Sequence, residues 1–308
     1  MYLITGGCGF IGSHIAEELV KNGEKVIIFD NLSSGKKENI AHLNDKVKFI
    51  KGDIRNKKKL EDIMKEVDYI FHEAALVSVV ESIKNPLKNN EININGTLNI
   101  LETARKNGVK KVVMASSAAV YGDDSGLPKK ESMKLKPISP YAVSKTVLEY
   151  YGKLYNELYN LNTVSLRYFN VYGPRQDPGS PYSGVISIFT NEFKKKNPAV
   201  KIYGDGEQTR DFIYIKDVVA ANMLAMEKRT MNGKVYNVAT GKEHSLHNLL
   251  HIMEEHTSKE VNIRYEKTRK GDIKKSVADI QKIKEKEFVP EFNLKKGLKK
   301  YFNSLGII

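Results

Sequence analysis

The tightest constraint on this chain is a cluster of glycines near its start, Gly6-Gly7-Cys8-Gly9-Phe10-Ile11-Gly12. The cluster follows an apolar run, Met1 to Ile4. It opens a segment, Phe10 to Lys21, whose apolar residues have helical spacing and which Gly23 stops. A strand that must turn at once into a helix packed close against the sheet has no room for side chains at several loop positions. The new helix points unpaired N–H groups and a partial positive charge at whatever the loop cradles. The pattern therefore predicts a dinucleotide pyrophosphate on this loop.

Strand and helix patterns continue to alternate as far as Arg167. Strands are predicted at Lys25–Phe29, Val47–Lys51, Tyr69–Phe71, Lys111–Ala115 and Thr163–Arg167. Helices are predicted at Leu60–Val67, at Pro86–Asn107 and from Ser139-Pro140 to about Asn160, the last with a serine cap and a proline in its first turn. Such alternation implies parallel strands joined by crossovers, a Rossmann-type doubly wound α/β sheet. Beyond Phe169 the pattern loosens into stretches rich in Gly, Pro, Tyr and Asp, which suggests a smaller, mixed α/β substrate lobe. The expected division is a dinucleotide-binding domain over 1–169, with returns near 211–240, and a lobe over 170–308. Lys234–Val238 is the expected returning strand of the main sheet.

Composition excludes some functions. No window of about 18 uncharged apolar residues exists, so no membrane span is expected. The chain begins directly in a strand pattern, without the basic and apolar regions of a secretory signal. Cys8 is the single cysteine, which excludes an internal disulfide and fits a reducing cytoplasm. The formal net charge is +13, but it comes from 42 lysines scattered along the chain against eight arginines. Short runs such as Lys57-Lys58-Lys59 and Lys194-Lys195-Lys196 read as solvated helix faces rather than a nucleic-acid surface, and an anionic small substrate suits the same balance. No metal is expected.

Asp30 ends the second strand, one helix and one strand on from the glycine cluster. A carboxylate there accepts the adenosine ribose hydroxyls and repels a 2′-phosphate, which favours NAD over NADP; Lys36 and Lys37 nearby argue the other way. Asp53 ends the third strand and is placed to accept the adenine amino group. Tyr141 and Lys145 lie four apart at the start of a helix and so share a face. The ammonium is expected to favour the phenolate and make Tyr141 a base near neutrality. With 16 tyrosines such a spacing arises readily by chance, so context matters. Ser116-Ser117 follows a strand at the carboxyl edge of the sheet, where ligands of such folds bind.

Together these segments resemble the extended short-chain dehydrogenase/reductase superfamily. The resemblance runs through Thr5 to His14, Gly52-Asp53, His72 to Ala75, Asn93 to Thr97, Ser116 to Gly122 and Tyr141 to Lys145. In the second half it runs through Leu166 to Asp177, Tyr203 to Asp211 and Arg269 to Asp272, where the chain is most similar to the UDP-glucose 4-epimerase family. The resemblance implies Ser117, Tyr141 and Lys145 as the catalytic set. It implies an NAD site formed by Gly6, Gly9, Phe10, Ile11 and Gly12, by Asp30, Asn31, Ser34 and Gly35, and by Asp53 and Ile54. Ala74, Ala75, Val77, Asn93, Ser116, Tyr141, Lys145 and Tyr168 complete that site. A UDP-sugar would meet Val79, Ser117, Tyr141, Asn170, Val185, Tyr203, Arg210, Arg269, Asp272 and Ser276, the two arginines clamping its diphosphate.

The implied reaction is epimerisation at C4 of a UDP-hexose, glucose and galactose and also their N-acetylated amino forms, through a 4-keto sugar that turns over while its nucleotide stays anchored. Ser276 falls where the family's pocket gate sits, and a small gate admits the N-acetyl group. Nucleotide-sugar dehydratases carry an Asp-Glu pair after the active-site Ser or Thr; Ala118-Ala119 stand there instead. A UDP-glucuronate 4-epimerase or decarboxylase and a non-enzymatic dinucleotide-binding relative are the competing readings. The long helices near Pro86–Asn107 and Pro140–Asn160 are the family's usual homodimer surface. Tyr150, Tyr151, Leu154 and Leu158 give the second an apolar stripe that core packing would also explain.

Overall fold

β1 (Tyr2–Thr5) and β2 (Val26–Asp30) are short runs of apolar and β-branched residues with hardly any exposed position. Strands of that kind need cover on both faces, as helices on a parallel sheet provide. In the computed structural model, residues 1–177, 184–268 and 273–308 are described. Between those two strands lies α1 (Phe10–Lys21). Next come β3 (Val47–Lys51), α2 (Lys57–Met64), β4 (Tyr69–His72), α3 (Val79–Lys84), α4 (Pro86–Asn90) and α5 (Gly96–Lys106). β5 (Lys111–Ser117), α6 (Pro140–Tyr159), β6 (Asn162–Tyr168), β7 (Asn170–Tyr172) and α7 (Val185–Phe193) follow. The remainder is β8 (Ala199–Tyr203), β9 (Thr209–Tyr214), α8 (Ile215–Glu227), β10 (Lys234–Val238), β11 (Glu243–Ser245), α9 (Leu246–Thr257), β12 (Asn262–Glu266), β13 (Lys275–Ser276), α10 (Gln281–Lys284) and α11 (Leu294–Ser304).

The main sheet has seven strands in the order β10-β6-β5-β4-β1-β2-β3. Pairings from β3 to β6 are parallel, with Ile4 of β1 opposite both Ile28 and Phe71. The chain leaves β1 toward β2 and β3 on one side and returns to β4 on the other. This reversal opens a crevice beyond the carboxyl ends of β1 and β4, the usual ligand position in such sheets. Beneath it Leu3, Phe29, Ile70, Ile100, Leu101 and Met114 belong to one buried apolar cluster. α6 forms as its sequence predicts. Ser139 accepts the Ala142 N–H, Pro140 occupies the first turn, and Asn160 ends the helix in the left-handed region at φ 56°.

The predicted helix over Pro86–Asn107 is interrupted. Residues Glu91–Asn95 widen into a π-turn between α4 and α5. Such a turn inserts a residue and rotates the side chains that follow, and it recurs at functional positions.

By packing, the chain forms two units. The first comprises Met1–Gly122, Lys134–Tyr168 and Val219–Tyr236; the second comprises Asp123–Met133, Phe169–Val218 and Asn237–Ile308. The expectation of a second lobe from 170 onward missed Asp123–Met133. That stretch joins the second unit because the Asn237 side-chain amide donates to the carbonyls of Lys129 and Asp279, and Glu131 accepts the Asn237 N–H. Within the second unit β9 pairs with β7, β11 and β13, and β8 pairs with β12. Tyr172, Tyr214 and Phe292 pack ring against ring there, at 5.5 and 4.8 Å between centroids. Among the described residues no helix is long and apolar enough to cross a membrane.

Candidate active site

The glycine loop is shaped by what it excludes. Gly6 sits at φ +68°, and a Cβ there would stand 2.7 Å from the Ala74 nitrogen; one on Gly12 would stand 2.4 Å from the Gly6 carbonyl oxygen. Gly9 caps α1 without any side-chain hydrogen bond, so no side chain covers the first amides of that 12-residue helix. Asp30, buried at the end of β2, accepts the Cys8 N–H at 2.9 Å on Oδ2 and the Leu32 N–H at 2.8 Å on Oδ1. Each oxygen keeps a lone pair for a ribose hydroxyl. The absence of a side chain on Gly35 keeps its approach open, since a Cβ there would lie 2.9 Å from Oδ2.

Asp53 already has protein partners. Both of its oxygens are taken up by Arg55, at 2.9 Å to Nε and to Nη2, and Asn31 adds a bond of 2.8 Å. These bonds, led by the Arg55 guanidinium, hold the carboxyl well below the usual carboxylate range. An adenine amino group would have to share it. Asn93 is likewise committed to the protein. Its Oδ1 accepts the Leu76 N–H at 2.7 Å, and its Nδ2 lies within reach of the Leu76 carbonyl, Asn89 and Ser144. It ties the π-turn to the segment after β4 and to α6. Ser34 and Asn31 are exposed, Ile54 is buried, and Val77 and Val79 are exposed.

At the carboxyl end of β5, Ser117 faces α6. Its hydroxyl accepts the Ala119 N–H at 3.2 Å and lies near enough to the Tyr141 hydroxyl to favour the phenolate. Lys145, one turn along α6, is buried and donates to the Ala115 carbonyl at 2.7 Å; its Nζ lies 5.8 Å from the centre of the Tyr141 ring. The three side chains are thus brought together within the first unit. One expectation is corrected. Tyr141 is pushed above the ordinary phenol value, by burial first and by the charge of Glu73, with the Ser117 hydroxyl opposing. Burial brings Lys145 down to about 8. A desolvated ammonium that donates to a carbonyl does not by itself offset the loss of water around the phenol.

Two buried networks hold this set, and neither is visible in the sequence. His72 lies between Thr5 Oγ1 at 2.7 Å and Thr97 Oγ1 at 3.0 Å. Thr97 donates to the Asn93 carbonyl and therefore accepts from His72 Nε2, which leaves Nδ1 as the acceptor from Thr5. Burial holds this imidazole neutral, down at about 3. One turn below Lys145, the Glu149 carboxylate accepts Ser116 Oγ at 2.5 Å and Arg167 Nε and Nη2 at 2.8 and 2.7 Å. Arg167 also donates to the Tyr121 hydroxyl at 2.8 Å.

In the second unit, Asn170, Val185, Tyr203 and Arg210 line one cavity of about 670 Å³. Gln176 and Gln208 line it too, each with a buried Oε1 that has no hydrogen-bond partner among the described residues. Orphaned acceptors on a cavity wall call for a ligand that donates to them. Asp211 supports the wall. Buried, it accepts the Thr240 N–H and hydroxyl, the Gly241 N–H and the Ala278 N–H, while its carbonyl accepts Asn170 Nδ2 at 3.1 Å. Ser276 pairs with Arg210 in register. Arg269 and Asp272 lie outside the described residues, as does part of the Gly173–Gly184 stretch. Among the described residues no group of His, Cys, Asp and Glu side chains is arranged to hold a metal ion.

A doubly wound sheet with a side-chain-free phosphate cradle, an aspartate after its second strand and a Ser-Tyr-Lys set at its carboxyl edge defines a dinucleotide-dependent protein of the short-chain dehydrogenase/reductase type. Residues 2–239 match the NAD dependent epimerase/dehydratase family, and the chain belongs to it. It is 44% identical to a putative UDP-glucose 4-epimerase of Methanocaldococcus jannaschii, over 98% of this chain and 97% of that protein. Among solved structures it is similar to the UDP-glucose 4-epimerase of Thermotoga maritima with UDP-glucose, with a TM-score of 0.93, 40% identity and coverage of 99% of this chain and 98% of the other. It is also similar to the UDP-N-acetylglucosamine 4-epimerase of Methanobrevibacter ruminantium in complex with UDP-N-acetylmuramic acid, with a TM-score of 0.92, 42% identity and 98% of both chains covered.

Proposed function

We propose that the protein interconverts UDP-hexoses that differ at C4, with NAD retained through the cycle. The observation that carries this reading is the gathering of Ser117, Tyr141 and Lys145 at the carboxyl end of β5, with Ala118-Ala119 rather than acidic residues after Ser117. It has the groups to move a proton on and off a sugar hydroxyl and lacks the acids needed to eliminate a neighbouring group. The residues fit the cofactor. The glycine cradle, the uncapped amides of α1 and the two-sided acceptor Asp30 suit a pyrophosphate and an unphosphorylated ribose. Bound NAD supplies a hydride acceptor and, when oxidised, a positive charge that favours the phenolate.

Ser117 orients the sugar 4-hydroxyl, and Tyr141 takes its proton and later returns it. Lys145 holds its charge beside the phenol. Gln176, Gln208 and Arg210 bind the nucleotide end, so that the hexose is free to present either face. Ser276, small at the place of the family's gate, supports activity on N-acetylated sugars as well as on UDP-galactose. The test is incubation of purified protein with each UDP-sugar without added NAD, followed by proton NMR of the anomeric signals. Conversion of UDP-galactose and UDP-N-acetylgalactosamine is expected. A requirement for stoichiometric NAD refutes epimerisation, and inertness of the acetylated sugars refutes the broad range.

A homodimer through α6 completes the proposal. Tyr150, Leu154 and Leu158 are exposed along it at 60%, 43% and 64%, a stripe that core packing leaves uncovered. Leu154→Glu is expected to shift the sedimenting species toward monomer, and an unchanged species would exclude this face. Cys8, free and buried, supports a place in the reducing cytoplasm.

A further inference from the structure

Ser117 ends β5, and the chain on either side of it is held from outside its own strand. Before it, Ser116 donates its hydroxyl to the Glu149 carboxylate at 2.5 Å. After it, a short 3₁₀ turn runs from Ala118 to Tyr121, and the Tyr121 hydroxyl accepts Arg167 Nη1 at 2.8 Å. Glu149 and Arg167 are themselves one unit. Nε and Nη2 of the guanidinium meet the carboxylate at 2.8 and 2.7 Å, and both side chains are buried. Arg167 stands opposite Ser116 in the register of β5 and β6, and its guanidinium carbon lies 4.8 Å from the centre of the Tyr121 ring. Glu149 shares a face of α6 with Lys145, one turn before it. The two side chains take the Ser116 hydroxyl and the Ala115 carbonyl, consecutive residues of β5.

Within this frame the Ser117 hydroxyl is aimed by the turn that follows it. Its oxygen accepts the Ala119 N–H, so its direction depends on where the turn places that amide. The far end of the turn is fixed at Gly122, φ +61°, where a Cβ would run into the Lys136 carbonyl; the Val120 carbonyl accepts the Lys136 N–H at 3.1 Å. We infer that the Glu149–Arg167 pair is a clamp for the chemistry at C4: it closes on Ser116 and Tyr121 and thereby points Ser117 at the sugar hydroxyl. Glu149, Arg167 and Tyr121 are then positioning residues. The inference rests on the reading of Ser117 as the group that orients that hydroxyl. A buried ion pair adds little net stability over apolar packing, whereas a two-point contact between guanidinium and carboxylate fixes direction. Direction is what the step needs, since a displacement of about 1 Å at a reacting group costs up to about 100-fold in rate.

Tyr121→Phe opens the arm after Ser117 and Ser116→Ala the arm before it; neither removes the ion pair. In each, kcat with UDP-galactose is expected to fall by about tenfold. KM and the NAD bound per chain should stay as in the wild type, because the nucleotide end and the glycine loop are untouched. A cycle with Ser117→Ala separates positioning from damage to the fold. In that background Tyr121→Phe is expected to change the remaining rate by less than about twofold, since the group it aims is gone. Amide exchange at Ala119, followed by NMR, needs no turnover. It is expected to quicken by about threefold or more in both single variants, with the Ile4 amide of β1 unchanged. Undiminished kcat in both single variants, a rate loss that tracks lost NAD, a loss that persists in full without Ser117, or an unaltered Ala119 exchange overturns the inference. Full activity in Ser117→Ala overturns the reading of Ser117 itself.

Discussion

Replacing Glu149 by glutamine tests whether the network behind the active site is held by charge or merely by shape. The side chain keeps its size and one acceptor oxygen but loses the carboxylate that meets Arg167 at 2.8 and 2.7 Å. Glu149 and Arg167 are only 5% and 3% exposed, so the guanidinium would be left charged with little water near it. Removing one partner of such a pair is worth about 3–5 kcal/mol. Glutamine keeps part of the hydrogen bonding, so about 3 kcal/mol is the expected loss, which at a slope of about 3 kcal/mol per M urea lowers the midpoint by about 1 M. Urea unfolding followed by far-ultraviolet circular dichroism reads it. The double change Glu149→Leu with Arg167→Met removes both charges and should recover most of the loss, because burying the pair was costly from the start. A loss under about 1 kcal/mol in Glu149→Gln, or a double variant weaker than the single one, would refute the argument.

Gly12→Ala is expected to yield folded protein that carries little NAD, since the new Cβ would stand 2.4 Å from the Gly6 carbonyl; the absorbance of cofactor released on denaturation measures it. Asp30→Ala should narrow the preference for NAD over NADP by removing the charge that repels a 2′-phosphate, as read by titration calorimetry with each dinucleotide. His72 is neutral in the folded chain down to about 3 but protonates at the ordinary 6.5 when unfolded. The unfolded state therefore binds one more proton in that window. The associated stability is complete above 6.5 and is lost as pH falls toward 3. His72→Asn should flatten the stability–pH slope by up to one proton there; an unchanged slope would place the histidine in contact with water.

What the sequence made legible was whatever depends on local pattern. The strand–loop–helix at Gly6 to Gly12, the cap at Ser139-Pro140 and the return of Lys234–Val238 beside β6 all follow from spacing and turn chemistry. The pairing of Tyr141 with Lys145 follows from helix geometry, but its electrostatics do not. Whether the phenol is raised or lowered depends on how deeply it is buried and on Glu73, which belongs to a distant part of the chain. The hold on Asp53 is equally silent in the sequence: Arg55, just beyond it, folds back onto both carboxylate oxygens. The π-turn at Glu91–Asn95 leaves no mark on apolar periodicity, because it adds one residue to a stretch that still reads as helical. Asp211 and the two cavity glutamines gain their roles only when distant strands enclose them.

β10 lies outermost beside β6, yet Lys234 comes long after Tyr168 in the chain. On the ribosome, β6 therefore emerges with one flank open and must wait for β7, α7, β8, β9 and α8 to be made before its neighbour arrives. During that interval its unpaired edge is a template for other nascent chains, so premature termination anywhere between these two strands would release a sticky fragment rather than a working half.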